Sequence, residues 1–390
     1  MLRFLAVFLG AIGMGSAVVA APFAYDGFDY SSGNLDGKNG GYGWQAGSAG
    51  AWDNQTATSV VVSPGSMSYT DSTGNSLVTS GGKVAFTQDS MRGVRNLNPS
   101  AAPANLVDST SGRLGKDGSS IWMSFLFEYD TADTTSFGGI TLFEGPFSGG
   151  GNGTHRLTIG QHGQMFNDTL FSYGPPGIPN DNTDLYNVAS NVQLSTASLI
   201  VMRFDFFEFL GPMPSGDPPY YDEIPGEDEV YMWVNPELGS LPSDEDAVYS
   251  RFRRDARADD QIPSWTFDRL RITTNRGGPS TFLDEIRLGA TFEDVTPIAG
   301  DFDGDRDVDG ADFLNWQSNA GTVGSALAGQ GDANLDGNVD EADLLLWQAG
   351  YSASSGSAPI HAVPEPALAG FLIGVGLPLV LKRTFWRRQL

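Results

Sequence analysis

The stretch IWMSFLF at residues 121–127 combines aromatic and aliphatic side chains that favour a β-strand. Similar runs occur at 199–206 (LIVMRFDF), 230–234 (VYMWV), 265–273 (WTFDRLRIT) and 282–288 (FLDEIRL). Gly, Pro, Asn and Asp are frequent between them, and residues 22–296 show no long 3.6-residue periodicity. Many short strands with turn-rich connections predict a mainly β fold, built as a large two-sheet sandwich.

The composition excludes several classes of function. The 390 residues include 47 Asp and Glu against 22 Lys and Arg, a net charge of −25. Nucleic acid is therefore not expected as a partner, because phosphate binding needs clustered basic residues. The chain has no cysteine, which excludes disulfides, zinc–thiolate sites and thiol catalysis, and it has only three histidines.

The first twenty residues have the pattern of a secretory signal peptide. Arg3 is followed by an apolar stretch that ends in the small residue Ala20. We expect cleavage after Ala20 and export of the protein, with an uncleaved membrane anchor as the alternative.

The last residues combine Pro364, Glu365 and Pro366 with an apolar segment at 367–381 and a terminal basic cluster. The apolar segment is short for a permanent membrane span, which needs about 20 residues. The combination resembles the PEP-CTERM sorting signal of Gram-negative bacteria. That resemblance implies a sorting signal at 364–390, transient inner-membrane anchoring, and removal by an exosortase-type protease. A plain C-terminal anchor is the alternative, and residues 353–363 are interpreted as a linker.

Two acidic segments repeat with an offset of 31 residues. Residues 301–312 read DFDGDRDVDGAD, residues 332–343 read DANLDGNVDEAD, and Trp316 and Trp347 each follow the final Asp by four residues. Oxygen-bearing side chains at positions 1, 3, 5, 9 and 12 of a loop are the donors that Ca²⁺ prefers. The concentrated negative charge is tolerable when a cation offsets it. The spacing therefore predicts two calcium sites.

The repeated loops, each followed by a short helix predicted to bury Phe, Leu and Trp, resemble the type I dockerin. That resemblance implies a small α-helical calcium-binding module at 297–352. It implies side-chain ligands in both loops and backbone oxygen from Asp307 and Asn338. The side-chain ligands are Asp301, Asp303, Asp305, Asp309 and Asp312 in the first loop, and Asp332, Asn334, Asp336, Asp340 and Asp343 in the second.

The chain departs from the dockerin pattern in two places. Arg306 stands at a turn position where the second loop has Gly337, and a non-glycine residue with positive φ costs about 1 kcal/mol or more. We therefore expect the first site to be the weaker. Cohesin-binding dockerins often carry a Ser-Thr pair after the loop, whereas this chain has Gly-Ala at 310–311 and Glu-Ala at 341–342. This difference argues against a cohesin partner and leaves a rigid spacer or an intramolecular clip as possible roles.

The segment 21–296 carries three motifs of a known sandwich family. Residues 25–30 with 40–44, residues 231–236, and residues 283–289 continuing to 294–297 resemble the opening, penultimate and closing strands of laminin-G-like, concanavalin A-type jelly rolls from exported planctomycete proteins. The resemblance implies a concanavalin A-like jelly-roll sandwich. Such folds often bind glycans through aromatic residues, for which Tyr42, Trp44 and Trp52 are candidates, although a packing role is the preferred interpretation for each.

No catalytic residue is assigned. Concanavalin-like glucanases carry paired carboxylates as Glu-x-Asp-x-(x)-Glu, and the best match here, residues 203–208, has Arg203 in the first position. Asp284 and Glu285 are interpreted as part of the closing strand. We therefore expect a non-catalytic, exported cell-envelope or surface protein for adhesion, matrix structure or polysaccharide binding. The alternatives are a polysaccharide-degrading glycoside hydrolase and a cohesin-docked scaffold component.

Overall fold

A computed structural model describes residues 21–54, 60–86, 91–129, 137–145, 154–162, 169–173, 186–190, 194, 196–208, 228–250, 266–274 and 281–355. The predicted signal peptide at 1–20 and the predicted sorting signal at 364–390 lie outside these ranges. Within them, no helix has the length and apolar character needed to cross a bilayer.

The described part of the chain contains sixteen β-strands. They are β1 (Ala24–Asp26), β2 (Gly33–Asn34), β3 (Asp53–Asn54), β4 (Val61–Pro64), β5 (Gly82–Ala85), β6 (Met91–Asn96), β7 (Ser119–Glu128), β8 (Phe137–Glu144), β9 (Thr154–His162), β10 (Thr169–Tyr173), β11 (Tyr186–Ser190), β12 (Ser198–Phe206), β13 (Glu229–Val234), β14 (Tyr249–Ser250), β15 (Arg269–Thr274) and β16 (Phe282–Gly289).

The strands form two antiparallel sheets. The first has the order β14-β13-β12-β7-β16-β5-β4-β2, with β1 also paired to β16. The second has the order β11-β10-β9-β8-β15-β6-β3. The prediction of a mainly β, two-sheet architecture is confirmed.

The main core lies between the two sheets. Alternate residues of β7, including Met123 and Phe125, pack in one buried cluster with Ile140 of β8 and Leu270 of β15. A fully buried side chain of this size contributes about 1.5–3 kcal/mol to burial free energy. This cluster holds the two sheets face to face.

The outer face of the first sheet is buried as well. Trp122 and Leu126 of β7 belong to a second apolar cluster, which also contains Phe292 and Val308 from the C-terminal part of the chain. Between them, Ser124 donates a hydrogen bond from Oγ to the carbonyl of Val295 at 2.6 Å. Residues 121–127 therefore form a continuous apolar run because both faces of β7 are covered.

Three α-helices follow the sandwich: α1 (Phe292–Val295), α2 (Gly310–Asn319) and α3 (Glu341–Ser355). The expected continuation of the closing strand to 294–297 is wrong, because β16 ends at Gly289 and residues 292–295 are helical. A capping box explains the helix, since Thr291 and Asp294 each accept a hydrogen bond from the other's backbone N–H. Helix α3 extends three residues past position 352, into the segment interpreted as a linker.

The segment between the sandwich and the first acidic loop is itself paired to the sandwich. The N–H of Val78 donates to the carbonyl of Pro297 at 3.0 Å, and the N–H of Ala299 donates to Ser76 at 2.8 Å. The sandwich and the acidic loops belong to the same compact unit, which ends at Ser355. The loops are thus packed on the sandwich through a short, hydrogen-bonded connection.

Candidate metal centre

The first acidic loop, residues 301–312, is wrapped by hydrogen bonds from its backbone to its own carboxylates. Asp301 accepts bonds from the N–H groups of Gly304 at 2.7 Å and Arg306 at 3.1 Å. The buried Asp312 accepts three, from Phe302 (2.6 Å), Asp303 (3.1 Å) and Asp309 (2.7 Å). These bonds fold the backbone of the loop around its first and last carboxylates.

The second acidic loop, residues 332–343, repeats four of these five bonds at the equivalent positions, and Asp332 accepts its other bond from Asp336 at 3.1 Å. Asp343 accepts from the N–H groups of Ala333 (2.8 Å), Asn334 (3.3 Å) and Asp340 (2.8 Å). Asp332 accepts from Gly337 at 2.8 Å, as Asp301 does from Arg306. The sequence repeat is therefore also a repeat of local structure.

The carboxylates of the first loop form two groups of three. Oxygen atoms of Asp301, Asp303 and Asp305 lie within 4.8 Å of one another, and so do those of Asp307, Asp309 and Asp312. Ca²⁺ takes six to eight oxygen ligands at about 2.3–2.6 Å, so opposite ligands stand roughly 5 Å apart. Each of the two groups therefore offers part of the oxygen set that such an ion requires.

The second loop replaces two of these carboxylates by amides. The side-chain nitrogens of Asn334 and Asn338 donate to Asp336, at 3.2 and 2.8 Å, which leaves both amide oxygens as acceptors. Asp340 accepts from the N–H of Ala342 at 2.8 Å, as Asp309 does from Ala311 at 2.6 Å. This loop offers the same oxygen positions with less negative charge.

The grouped carboxylates are electrostatically unfavourable without a counter-charge. Burial raises the pKa of Asp301 to about 6 and that of Asp312 to about 6, and neighbouring carboxylates add to both shifts. Burial also raises the pKa values of Asp303, Asp307 and Asp332. A bound cation would remove the reason for these shifts, because it favours the ionised carboxylates.

The two repeats are joined by reciprocal contacts that sequence reasoning missed. The indole Nε1 of Trp316 donates to the carbonyl of Asp340 at 3.1 Å, and that of Trp347 donates to Asp309 at 2.9 Å. Each tryptophan therefore binds the loop of the other repeat. The shared offset of 31 residues was the available signal that the two residues are equivalent.

Two glycines make this pairing possible. Gly300 and Gly331 both have positive φ, at 94° and 104°, and both stand immediately before their loops. A Cβ on Gly300 would lie 2.9 Å from the Cα of Trp347, and a Cβ on Gly331 would lie 2.9 Å from that of Trp316. The 31-residue offset relates these glycines too, and sequence reasoning missed them.

Arg306 connects the first loop to the sandwich. Its φ is 74°, close to the 83° of Gly337, which confirms that it occupies a glycine-type turn position. Its guanidinium lies 5.1 Å from the ring centroid of Phe292 and donates to Thr296 Oγ1 at 3.3 Å. Burial lowers the pKa of Arg306. Arg306 therefore has a strained backbone in the loop and a side chain that contacts Phe292 and Thr296 at the end of the sandwich.

Helices α2 and α3 bury fewer of their leucine side chains than the sequence predicts. Leu314 and Leu345, again offset by 31, are 60% and 59% exposed. The expectation that the leucines of both helices are buried is wrong at these positions. The partly buried faces of the helices instead carry Phe313, Trp316 and Trp347, and the ring centroids of Phe313 and Trp347 lie 5.1 Å apart.

The three aromatic candidates in the sandwich differ in exposure: Trp44 and Trp52 are buried, and Tyr42 is exposed. Trp52 is 1% exposed and donates from Nε1 to Asp26 at 2.8 Å, and Trp44 is stacked under the guanidinium of Arg95. The packing interpretation is confirmed for these two. Tyr42 is 48% exposed and lines an open cavity of about 110 Å³ together with Arg306.

Three of the carboxylates considered for catalysis are engaged in structural contacts, whereas Glu208, at the end of the 203–208 match, is exposed. Asp205 accepts from Arg203 at 2.8 Å and from Ser120 at 2.5 Å. Asp284 and Glu285 both have 0% exposure, so a polymeric substrate does not reach them. Their interpretation as part of the closing strand is confirmed by β16.

Burial raises the pKa values of these two carboxylates, and the hydrogen bonds that they accept lower them. Burial, together with the charge of Glu285, holds the pKa of Asp284 well above its usual range. Burial also raises the pKa of Glu285, although Arg287 beside it opposes that shift. The pair is therefore a buried feature of the core, in which Glu285 also forms an ion pair with Arg287.

Comparisons with known proteins find only weak structural similarity. No family model matches it, and no curated protein matches it in sequence. Among solved structures, an endo-β-1,4-glucuronan lyase from the fungus Trichoderma reesei aligns with 69% of this chain and 98% of its own, at 12% identity and a TM-score of 0.32.

Two further structures are similar to the same degree. An endo-acting O-glycanase of the human gut microbiota aligns with 68% of this chain and 98% of its own, at 10% identity and a TM-score of 0.34. The carbohydrate recognition domain of Emp46p in its metal-free form aligns with 61% and 88%, at 10% identity and a TM-score of 0.29. These values are too low to indicate a shared activity, so the functional proposal rests on the residues of this chain.

Proposed function

We propose that the protein is an exported, calcium-binding protein of the cell envelope or cell surface. Its β-sandwich serves adhesion, matrix structure or polysaccharide binding without catalysis. Its two acidic loops form a dockerin-like module that binds two calcium ions, and its C-terminal segment is a PEP-CTERM signal processed by an exosortase-type protease.

One observation supports the calcium sites most directly. Asp312 and Asp343 each accept three backbone hydrogen bonds from matched positions of their loops. A linker with an acidic composition alone would not repeat this arrangement twice. Calcium, when bound, supplies the positive charge that the grouped carboxylates otherwise lack.

The loops would hold calcium through the side chains proposed from the sequence. Asp301 and Asp332 are oriented by two N–H bonds each. Asp307 and Asn338, at position 7 of each loop, would contribute backbone oxygen. Because an ion that binds only the folded loop stabilises that fold, calcium would order the module.

Two features support a structural role for the module. It is packed against the outer face of the first sheet through Val308, and Arg306 reaches Phe292. Both contacts favour an intramolecular clip over a mobile docking arm. Residues 310–311 and 341–342 lie exposed without the Ser-Thr pair of cohesin-binding dockerins, and cohesin is accordingly not the partner that we propose.

A binding role for the sandwich is preferred over hydrolysis because the carboxylates within strands β12 and β16 are inaccessible or paired, and the exposed Glu208 lies beyond the end of β12. Asp284 and Glu285 are fully buried, and Asp205 is held by Arg203. The exported location rests on the residues of the two chain ends, and the partners that we propose are an extracellular polysaccharide and the processing protease.

Two measurements test the proposal. Calcium titration of the purified chain, followed by circular dichroism, should show a gain of helical signal that chelator reverses, and an unchanged spectrum at millimolar calcium would rule out the module. Incubation with a panel of insoluble polysaccharides should deplete the protein from solution without releasing reducing ends. Release of reducing ends that is lost when one carboxylate of the sandwich is changed to Ala would favour the glycoside hydrolase alternative. If the protein neither binds nor releases reducing ends, a purely structural role remains.

A further inference from the structure

The open cavity of about 110 Å³ lies where the sandwich meets the two acidic loops. The sandwich contributes Tyr25 and Tyr42 to its lining, the first loop contributes Gly304 and Arg306, and the second loop contributes Leu335. The cavity has room for several water molecules. Residues of both parts of the molecule are therefore needed to form it.

Tyr42 presents its ring to this cavity from a fixed backbone. Its N–H donates to the carbonyl of Tyr25 at 3.1 Å, and its carbonyl accepts from the N–H of Tyr25 at 3.0 Å. Gly41 and Gly43 on either side have positive φ, and a Cβ on Gly41 would collide with the carbonyl oxygen of Tyr25. The ring of Tyr42 is nevertheless 48% exposed. An exposed ring on a rigid backbone loses little conformational freedom on binding, which suits it to stack on a ligand.

The cavity is also where the two acidic loops differ from each other. The 31-residue offset pairs Arg306 with Gly337 and Leu335 with Gly304, and all four residues have positive φ. Each loop therefore has one non-glycine residue where the other loop has glycine, and both of these residues line the cavity. A non-glycine residue at positive φ costs about 1–3 kcal/mol, and such residues cluster at functional sites. The placement of both strained residues points to a function of the cavity that a calcium loop alone does not require.

The charges around the cavity are balanced. Arg287, which lines the cavity, forms an ion pair with Glu285. Burial lowers the pKa of Arg306, and the charges of Glu293 and Asp301, which also line the cavity, oppose that shift. The lining therefore offers donors and acceptors without an excess of positive charge, in a chain whose net charge is −25. Such a site disfavours an anionic ligand and suits a neutral ligand with many hydroxyl groups.

We propose that this cavity binds one neutral sugar unit of the polysaccharide, with Tyr42 stacked on the sugar ring and with Arg306 and Glu293 bonded to its hydroxyl groups. This inference rests on the proposed polysaccharide-binding function and names its ligand class and site. Asp301 and Gly304 line the same cavity, so a calcium ion held by the first loop would fix one wall of the site. Sugar binding should therefore depend on calcium, and by linkage the sugar should raise the affinity for calcium.

The test compares Tyr42→Ala and Leu335→Gly with the control Tyr351→Ala. Leu335→Gly gives the second loop the glycine that the first loop has at the same position, so it removes the side chain and relieves the backbone together. Tyr351, in α3, is 44% exposed and lies outside the described lining of the cavity, so the control removes a tyrosine of similar exposure.

Each protein is produced as the exported chain beginning at Ala21, because that residue lines the cavity. The proteins are titrated by calorimetry with neutral hexaoses of glucose, xylose, mannose and galactose, and with a hexauronate as the anionic comparison. Every titration is run in calcium and in chelator.

In calcium, we expect Tyr42→Ala to weaken binding of a neutral hexaose at least tenfold and Leu335→Gly several-fold, with Tyr351→Ala within twofold of the wild type. Chelator should weaken binding by the wild type several-fold. In the reverse experiment, a saturating hexaose should raise the calcium affinity of the wild type by that same factor and leave that of Tyr42→Ala unchanged. Without sugar, Tyr42→Ala should bind calcium as the wild type does, which shows that the variant is folded.

Three results would overturn the inference while leaving the polysaccharide-binding function intact. They are neutral binding that Tyr42→Ala and Leu335→Gly both retain, an equal loss in Tyr351→Ala, or tighter binding of the hexauronate than of every neutral hexaose. Equal hexaose affinity in calcium and in chelator would overturn the coupling to calcium.

The polysaccharide panel separates the two levels of the proposal. If no hexaose binds but an insoluble polysaccharide still depletes the wild type from solution, the cavity is not the binding site. If the wild type binds neither the hexaoses nor any insoluble polysaccharide, the polysaccharide-binding function itself is wrong.

Discussion

The guanidinium of Arg306 lies 5.1 Å from the ring centroid of Phe292, so a residue of the first acidic loop rests on the helix that closes the sandwich. The N–H of the same residue donates to Asp301, the first proposed calcium ligand. Arg306 therefore has its backbone in the candidate metal loop and its side chain on the sandwich. This arrangement couples the two parts of the molecule.

Arg306→Gly should separate calcium binding from stabilisation of the sandwich. Glycine relieves the positive-φ penalty of about 1 kcal/mol, so calcium affinity of the first loop should be equal or higher. The contacts with Phe292 and Thr296 are lost, so calcium should raise the unfolding midpoint of the sandwich less than in the wild type. Calorimetry measures the affinity, and urea unfolding followed by tryptophan fluorescence measures the midpoint.

Arg306→Ala is the matched control, because it removes the same side chain but keeps a Cβ at positive φ. It should be less stable than Arg306→Gly by about 1 kcal/mol. A sandwich midpoint that responds to calcium equally in all three proteins would show that Arg306 does not couple the loop to the sandwich.

Asp343→Ala should abolish most of the calcium-dependent helical gain of the second repeat. The change removes a proposed ligand and leaves three backbone N–H groups of the loop without their acceptor. At free calcium one hundred times the dissociation constant, an intact site contributes about 2.7 kcal/mol, which the variant would lose. Circular dichroism during calcium titration measures this loss.

Asp312→Ala makes the equivalent change in the first loop. Each variant alone should retain one binding event in calorimetry, and the double variant should retain none. Two events that persist in the double variant would contradict the assignment of these carboxylates as ligands.

Gly331→Ala should destabilise the pair of repeats. The added Cβ would lie 2.9 Å from the Cα of Trp316, and the backbone there has a φ of 104°. Overpacking of this kind costs about 1–3 kcal/mol, before the positive-φ penalty is added. The free energy of unfolding, measured in urea at saturating calcium, reports the loss.

Gly310→Ala serves as its control in the same module. A Cβ at Gly310 meets nothing within 4 Å, and the residue lies in α2, where alanine is favoured. The control should therefore be neutral or slightly stabilising. A Gly331→Ala protein as stable as the control would show that the contact with Trp316 is easily relaxed.

Asp284→Asn should change the pH dependence of stability. The pKa of Asp284 is raised in the folded protein, so the folded state binds more protons than the unfolded state above the ordinary Asp range. The contribution of this group to stability is present at low pH and is lost as pH rises from about 4 through the folded pKa. Asparagine stays neutral at every pH. The stability of the variant relative to the wild type should therefore increase as pH rises.

Thermal unfolding at pH 4 to 8 measures this difference. Glu245→Gln, at an exposed position, is the control and should follow the wild type throughout. A constant difference between Asp284→Asn and the wild type across the pH range would contradict a raised pKa at Asp284.

Local sequence determined several features because short-range geometry fixes them. The 31-residue offset placed each loop before its helix and identified Arg306 as the counterpart of Gly337, and both have positive φ. A loop of twelve residues bonded to its own carboxylates depends little on the rest of the chain. The apolar runs at 121–127 and 199–206 likewise became strands β7 and β12, because their side chains suit a buried, pleated surface.

Only the tertiary structure decided which surfaces those elements cover. The sequence does not show that Trp122 packs with Phe292 and Val308 on the outer face of the sheet, nor that Leu314 and Leu345 stay exposed. Arg271 of β15 and Arg92 of β6 lie on the same face of the second sheet only because of the strand register. Contacts between residues more than a hundred positions apart depend on how sheets and loops pack, and local periodicity carries no information about that packing.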